Sequence, residues 1–288
     1  MGCDFLILYN NRSFQDSILR TIKVHIDNIE GKFFVIVSPW LLNFTFLDEV
    51  INSDLELANF YEKETTILDI IKMVSKNTLK RKSEVNIIIH DFAVNWIYDK
   101  GRFYADLDKI DENNFWKKYK IYKKYFGKET AFNRIWLSNE KNVTKASQGN
   151  ASKKIYRDSL SDLGEKLGQI SQNLKYINMA SRLVKEAKCT LFLHTNFHSK
   201  IFMTDLSVVA GSSNWTYSGF TKNDELNIYF TKEENPEDYD DLKYRVNEIL
   251  NESQNVSTEI LSTIKKKTLE LEELYQDISA EIYRYRRR

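Results

Sequence analysis

The chain has 288 residues, which is enough for one large domain or for one domain with an appended module. Hydrophobic residues make up 42% of it, which supports a sizeable core and excludes wholesale disorder. The formal net charge of +1 excludes a global field that attracts polyanions, so any nucleic-acid surface must be local. Cys3 and Cys189 are too few for a disulfide framework or a cysteine-rich zinc site.

Strands and helices alternate through the first third of the sequence. A short strand over 4–9 and an amphipathic helix over about 13–29 precede the apolar run 33–37, which is typical of a buried parallel strand. Helical patterning over about 47–76 and a second buried strand over 85–89 follow. This alternation predicts an α/β fold class with crossover connections.

The second half of the sequence repeats this pattern after an interruption. A polar stretch over 97–160, rich in lysine and aromatic residues, looks like an insertion with a loop at 150–152. We then expect a helix over 161–187, followed by strands over about 190–193, 199–204, 207–211 and 225–230. Asn235-Pro236 followed by two acids predicts a helix start with a capping side chain, so a C-terminal helical segment should occupy 235–288.

The last helix carries an apolar stripe that allows two interpretations. It either docks on its own domain or forms a dimer interface. The stripe consists of Ile260, Ile264, Leu271, Leu274, Ile278 and Ile282. No run of about 18 apolar residues occurs, and the N-terminus has neither a signal-peptide pattern nor the Ser or Thr of a myristoylation site at position 6, so we expect a cytoplasmic protein without a membrane partner.

A set of polar residues between 198 and 225 carries the chemistry. Alternation along a strand places His198 and Lys200 on one face, and Ser212 and Asn214 on one face after Gly211, whose missing side chain lets the backbone turn or approach a ligand. A site that attacks a phosphodiester needs a nucleophile, donors for the phosphoryl oxygens and a proton donor. His198 suits the first role, and Lys200, Ser212 and Asn214 suit the second without a metal. A carboxylate such as Glu225 would orient a histidine ring.

The pattern His-x-Lys-x4-Asp followed by Gly-Ser-x-Asn resembles the phospholipase D superfamily, and the likeness continues through Asn223-Asp224-Glu225. It implies a mixed sheet flanked by helices, with a catalytic domain over 1–232. It also implies a covalent phosphohistidine on His198, no metal and no cofactor. The roles that it implies for the other residues are phosphate ligands (Lys200, Asn214 and the additional Ser212), an orienting carboxylate (Glu225) and structural support (Asp205, Gly211). Five residues separate Asp205 from Gly211, one fewer than usual in the family, so we expect a hairpin turn shortened by one.

The chain contains a single copy of this motif, whereas the family chemistry uses two histidines. None of His25, His90 and His194 has a lysine two residues on, and His90 and His194 suit a polar strand end and local scaffolding. Either two chains bring their His198 residues together across a twofold axis, or the site is silent. The small one-motif members of the family are homodimeric nucleases, which favours a homodimer that shares one active site.

Two basic segments favour nucleic acid as the substrate. Neither segment distinguishes DNA from RNA, and we expect DNA rather than RNA. The segment 115–128 combines lysines that neutralise phosphates with aromatic residues that stack on bases, and the C-terminus ends in Arg286, Arg287 and Arg288. The lysines of the segment 115–128 are Lys117, Lys118, Lys120, Lys123, Lys124 and Lys128. A solvated helix face and a solubilising tail are the alternatives for these segments.

The sequence therefore predicts an endonuclease, and analogy with restriction-type relatives suggests restriction or antiviral defence. Two alternatives stay open: a phospholipase or phosphatidyltransferase, and a nucleic-acid-binding scaffold without activity.

Overall fold

The computed structural model describes residues 6–8, 11–28, 31–80, 84–90, 150–195, 197–223 and 225–287. Within these ranges the chain forms eight strands and eight helices. The strands are β1 Leu6–Leu8, β2 Phe33–Val37, β3 Glu84–His90, β4 Thr190–His194, β5 Lys200–Thr204, β6 Ser207–Gly211, β7 Asn227–Thr231 and β8 Gln254–Asn255. The helices are α1 Asn11–Asp27, α2 Asp48–Ile51, α3 Leu55–Phe60, α4 Ile67–Lys80, α5 Asn150–Lys185, α6 Tyr217–Thr221, α7 Pro236–Glu252 and α8 Thr258–Arg287.

The described strands form one mixed sheet in the order β1-β7-β6-β5-β2-β3-β4-β8. The central strands β2, β3 and β4 run parallel to one another, as their unbroken apolar runs predict. Every other neighbouring pair in this sheet is antiparallel. The predicted α/β class, with a mixed sheet flanked by helices and helices at the C-terminal end, is confirmed.

Alternate residues of the central strands bury themselves on the two faces of the sheet. Val35 and Val37 belong to a core cluster that also contains Tyr239 and Val246 of α7. Phe34 lies between them in sequence and therefore points to the opposite face, where its ring contacts His25 of α1. The sheet is thus covered by α7 on one face and by α1 on the other, and this double cover explains the lack of polar residues in β2.

Local hydrogen bonds divide the helical stretch predicted over 47–76 into three helices. Asp54 accepts from the backbone N–H of Glu56 at 2.6 Å and begins α3. Thr66 and Asp69 exchange reciprocal side-chain-to-backbone hydrogen bonds, which is the capping-box arrangement, and α4 begins between them.

Two other helix boundaries differ from the sequence-based expectation. Residues 150–152, predicted as a loop, form the first turn of α5, which begins 11 residues earlier than expected. Pro236 and the acids of the first turn begin α7 as predicted, but the Asn235 side chain makes no capping hydrogen bond. Its φ of −136° and ψ of 68° lie outside the extended conformation usual for a capping residue.

The chain divides into two compact units, one of Met1–Asp91 with Lys175–Ser262 and one of Phe92–Leu174 with Thr263–Arg288. The first unit contains all the strands named above. Residues 97–149 lie outside the described residues, so the insertion over 97–160 stays a prediction. The predicted domain boundary at 232–235 also stays a prediction. Both interpretations of the α8 stripe also stay open, because most of its side chains lie outside the described part. No helix among the described residues has the length and apolar character needed to cross a membrane.

Candidate active site

The topology brings the motif residues to one edge of the sheet. The carboxyl ends of β2, β3 and β4 meet the beginning of β5, because β5 runs antiparallel to β2 with Val37 opposite Ile201. Lys200 lies opposite Gly211, and Gly211 lies opposite Asn227. Residues that leave β6 and enter β7 therefore lie beside the beginning of β5. We call this edge of the sheet, with the beginning of β5, the end of β6, the beginning of β7 and the carboxyl ends of β2, β3 and β4, the site edge.

His198 and Lys200 touch each other at the site edge. His198 lies in the exposed segment before β5, while Lys200 is the first residue of that strand and is only 7% exposed. Lys200 Nζ lies 2.7 Å from His198 Nδ1. Burial lowers the pKa of the Lys200 ammonium, and the nearby charge of Glu225 partly opposes this shift. A desolvated ammonium of this kind gains strongly from an anionic ligand.

The hairpin between β5 and β6 explains the short interval in the motif. Only Asp205 and Leu206 connect Thr204 to Ser207, and the strands pair in register from Met203–Val208 to Lys200–Gly211. The tight connection agrees with the expected shortening of the turn. Because the register is regular, the missing residue does not displace the glycine from the lysine across the hairpin.

Gly211 is required by close approach to β7. A Cβ atom at this position would lie 2.3 Å from the carbonyl oxygen of Leu226 and 2.4 Å from Asn227 Oδ1. In this structure the neighbouring segment at Leu226 and Asn227 occupies the space beside Gly211. Ser212 follows directly, and its N–H donates to Leu226 O at 3.0 Å.

Ser212 and Glu225 are hydrogen-bonded to each other. Ser212 Oγ donates to Glu225 Oε2 at 2.5 Å, and Asn223 Nδ2 donates to Glu225 Oε1 at 3.1 Å. The expected role of Glu225 is to orient His198, and in this structure both of its oxygens have other partners. That role stays a prediction, and the contact with Ser212 was not anticipated.

Asn214 lies between two residues that are held firmly in place. On one side, Ser213 is buried and exchanges two hydrogen bonds with the Asn227 side chain, Ser213 N to Oδ1 at 3.3 Å and Nδ2 to Ser213 Oγ at 2.8 Å. On the other side, Trp215 N donates to Ser38 Oγ at 3.2 Å. Asn214 Oδ1 itself is buried and has no hydrogen-bond partner within the described part of the chain. These contacts fix the backbone on both sides of Asn214. The side-chain oxygen of Asn214 keeps the capacity to accept a hydrogen bond from a ligand.

Asn227 and Ser38, which hold the two neighbours of Asn214, are not among the residues predicted from the sequence. Asn227 is only 2% exposed and stands two residues after Glu225, where its spacing from the glutamate was the available signal. Ser38 donates to Trp40 O and accepts from Trp215, which is 177 residues away in the chain. No local pattern around Ser38 marks such a contact.

Asp205 lies at the opposite end of β5 from His198. Its Oδ2 accepts from the backbone N–H groups of Lys32 and Phe33 at 2.6 and 2.7 Å. These bonds tie the turn of the hairpin to the beginning of β2. This placement agrees with a structural role for the motif aspartate.

His90 and His194 also lie at the site edge. They are opposite each other on β3 and β4, and both rings contact Phe197, with centroid separations of 6.5 and 5.6 Å. Phe197 immediately precedes His198 in the chain. Among the described side chains, no group of three or more His, Cys, Asp or Glu residues is arranged to hold a metal ion.

The predicted nucleic-acid contacts are not described by the structure. Lys117, Lys118, Lys120, Lys123 and Lys124 fall within 91–149, outside the described residues. Arg286 and Arg287 belong to the last turn of α8, but their side chains lie outside the described part.

Comparison with known proteins adds independent information. The family model described as "Cardiolipin synthase, PLD-like domain" matches residues 52–244, about two thirds of the chain, and this range includes the motif from His198 to Glu225. A phospholipase D family member, Nuc from Salmonella typhimurium, aligns in structure with a TM-score of 0.37 and 14% identity, over 88% of this chain and 97% of that chain. None of the curated proteins matches the sequence. With a family model covering well over half of its length, the chain belongs to the phospholipase D-like family.

Proposed function

We propose that this chain is a metal-independent phosphodiesterase that cleaves nucleic acid internally, through a covalent phosphohistidine on His198. The observation that carries this proposal is the site edge, where the contact between His198 and Lys200 lies across the hairpin from Gly211 and the turn with Ser212 and Asn214. A nucleophile beside fixed hydrogen-bond donors is the arrangement that phosphoryl transfer requires.

The reaction has two steps. His198 Nε2 attacks phosphorus, the P–N bond forms, the P–O bond to the leaving group breaks, and the leaving oxygen takes a proton from a second histidine. Water then attacks phosphorus, the P–N bond breaks, and the second histidine removes a proton from that water. Lys200, Ser212 and Asn214 bind the phosphoryl oxygens, each donor contributing about 3–4 kcal/mol to transition-state stabilisation by mutational precedent.

The second histidine is proposed to be His198 of a second copy of the chain. A twofold axis through the site edge would place the same residue twice about one scissile phosphate. The catalytic unit is then a homodimer with one shared active site.

Nucleic acid is the proposed substrate because the segment 115–128 combines six lysines, six aromatic residues and no acid on a chain with a net charge of +1. Lysines neutralise phosphates, and aromatic rings stack on unpaired bases. DNA is favoured over RNA, a role in restriction or antiviral defence is proposed by analogy, and the cytoplasmic location stays a prediction.

The second candidate function is that of a phospholipase or phosphatidyltransferase. It is favoured by the description of the matched family model, which names cardiolipin synthase. The same histidine chemistry would serve both substrates, so only the groups that bind the rest of the substrate distinguish them.

One experiment tests the chemistry and the substrate together. Wild-type protein is incubated in EDTA with plasmid DNA, single-stranded DNA, RNA and phosphatidyl vesicles, beside His198→Ala and the matched control Ser199→Ala. Ser199 is the exposed residue between His198 and Lys200, so its substitution should leave cleavage intact. We expect nucleic-acid cleavage by the wild type and by Ser199→Ala alone. Cleavage that requires Mg²⁺ or survives His198→Ala would contradict the mechanism, and turnover of the vesicles alone would favour the second candidate.

A mixing experiment tests the shared site. When His198→Ala is co-refolded with an equal amount of wild type, only wild-type pairs keep both histidines, so activity per total chain should fall to about one quarter. A fall to about one half would mean that each chain works alone. The mass in solution provides an independent check of the dimer.

A further inference from the structure

Two of the three residues assigned to bind phosphate, Lys200 and Ser212, are hydrogen-bonded to the two residues assigned to nucleophilic attack, His198 and Glu225. Lys200 contacts His198, and Ser212 contacts Glu225. Nucleophilic attack depends on the pairing of His198 with Glu225. In this structure each of these two residues is hydrogen-bonded to a phosphate-binding residue instead. This arrangement has a consequence for the protonation of the histidine ring.

The contact with Lys200 determines which ring nitrogen of a neutral His198 carries the proton. A lysine ammonium has three donors and no acceptor, so Nδ1 must accept from Lys200. A neutral imidazole has one N–H and one lone pair, and its proton is then on Nε2. In this tautomer the lone pair of Nδ1 is engaged and Nε2 has none, so neither nitrogen can attack phosphorus.

Attack by Nε2 requires the opposite tautomer, with the proton on Nδ1 and an acceptor facing it. Glu225 is the acceptor that the family resemblance assigns. Its Oε2 accepts from Ser212 and its Oε1 from Asn223, so the carboxylate is engaged on both sides. Neither member of the pair is ready while these contacts persist.

We propose that phosphate binding assembles the nucleophile: a phosphate group takes Lys200 and Ser212 as its ligands, and so frees His198 and Glu225 to pair with each other. In the same event the proton on Nε2 leaves to water and Nδ1 takes one from water, so the number of protons on the ring is unchanged. This inference rests on the proposed phosphodiester chemistry, which it extends to the step before attack.

Three features of the site support this exchange. Phosphate oxygens are charged acceptors and bind an ammonium more strongly than a neutral ring nitrogen does. Gly211 lies opposite Lys200 and Ser212 follows Gly211 directly, so both donors lie at the site edge. Glu225 is near enough for its charge to raise the pKa of Lys200 against the larger effect of burial. The bond from Asn223 to Oε1 can persist throughout, which makes Asn223 a positioning residue for Glu225.

Nitrogen-15 NMR of the histidine rings tests this proposal directly. The full chain has four histidines, and His198→Ala identifies the signals of His198 by their loss. At a pH where the ring is neutral, we expect the Nε2–H tautomer without phosphate and a shift towards Nδ1–H as inorganic phosphate is added. A ring that is already Nδ1–H without phosphate, or one that keeps the Nε2–H tautomer at saturating phosphate, would overturn the proposal.

Variants test the two contacts separately and without a ligand. Lys200→Met should remove the preference for Nε2–H in phosphate-free protein, and added phosphate should then have little further effect. Ser212→Ala should release one oxygen of Glu225 and shift part of the population to Nδ1–H. The control Lys222→Met removes an exposed lysine whose ammonium lies over the Tyr217 ring, and it should leave the ring spectrum of His198 unchanged. Unchanged spectra in both Lys200→Met and Ser212→Ala would refute the role of these contacts.

The outcome is separable from that of the nuclease proposal. A protein that shows the tautomer change with phosphate but cleaves no nucleic acid would retain this inference and lose the substrate assignment. A protein that cleaves DNA in EDTA while His198 keeps one tautomer would retain the proposed function and lose this inference.

Discussion

Replacement of Gly211 by alanine tests how closely the motif turn depends on strand pairing. The added Cβ would lie 2.3 Å from Leu226 O, 2.4 Å from Asn227 Oδ1 and 2.7 Å from Asn227 Cα. Two of these atoms belong to the backbone of the neighbouring segment, and the third belongs to a side chain that is 2% exposed. The overlap can therefore be relieved only if β6 and β7 separate at this point.

The expected cost follows from this geometry. Overpacking of a close-packed interior lowers the free energy of unfolding by roughly 1–3 kcal/mol. The gain of about 0.4–1 kcal/mol that alanine brings by restricting the unfolded chain is too small to offset the upper part of this range. Each kcal/mol corresponds to about 2–4 °C in Tm for a domain of about 150–250 residues, and a displacement of Ser212 and Asn214 by about 1 Å should lower kcat about 100-fold.

Thermal melts and a phosphodiesterase assay below the transition measure the two effects. Gly168→Ala is the matched control, because this glycine lies exposed in α5 with nothing within 4 Å of its added Cβ. It should raise the free energy of unfolding by about 0.5–1 kcal/mol and leave activity unchanged. If Gly211→Ala melts with the wild type and keeps its activity, the steric explanation of this glycine is wrong.

Three further substitutions probe the residues around the site. Asp205→Ala should lower the free energy of unfolding by roughly 1–3 kcal/mol, because it leaves two backbone N–H groups without their acceptor. Below the transition its kcat should stay near that of the wild type, and a loss of kcat in a folded Asp205→Ala would place this residue in the catalytic site instead. Asn227→Ala should cost roughly 1–3 kcal/mol of stability and also lower kcat, since it releases Ser213, and unchanged kinetics would exclude a positioning role. Lys200→Met should abolish activity. It should also raise the free energy of unfolding near pH 7 by about 0.5–2 kcal/mol and therefore raise Tm, because burial lowers the pKa of Lys200 from 10.5 and makes its charged form costly in the folded state. The cost of burying the charged Lys200 is fully present below its lowered pKa and disappears as the pH rises through that pKa towards 10.5. Thermal melts at increasing pH should therefore show a shrinking difference in Tm between Lys200→Met and the wild type. A difference that grows with pH would contradict the lowered pKa of Lys200.

Sequence periodicity identified the central strands because their composition is set by burial on both faces. The run predicted over 33–37 coincides with β2, and the strand predicted over 85–89 lies within β3. Helix ends were less accurate, since α3 and α4 begin where Asp54 and Thr66 form local hydrogen bonds within a longer apolar pattern. Short polar interactions of this kind interrupt a helix without changing its overall periodicity.

The candidate nucleophile and its lysine were identifiable from the sequence by their spacing, because residues two apart at the beginning of a strand approach each other whatever the rest of the fold. The partners of the other site residues were decided by tertiary structure. Gly211 is constrained by a strand that begins 16 residues later, and the backbone N–H of Trp215 donates to Ser38, which lies 177 residues earlier in the sequence. Glu225 has Ser212 and Asn223 as its partners in this structure, although the motif alone points to His198. Spacing along a strand determines which side chains share a face, whereas hydrogen bonds between distant segments depend on strand register, and register forms only when the sheet assembles.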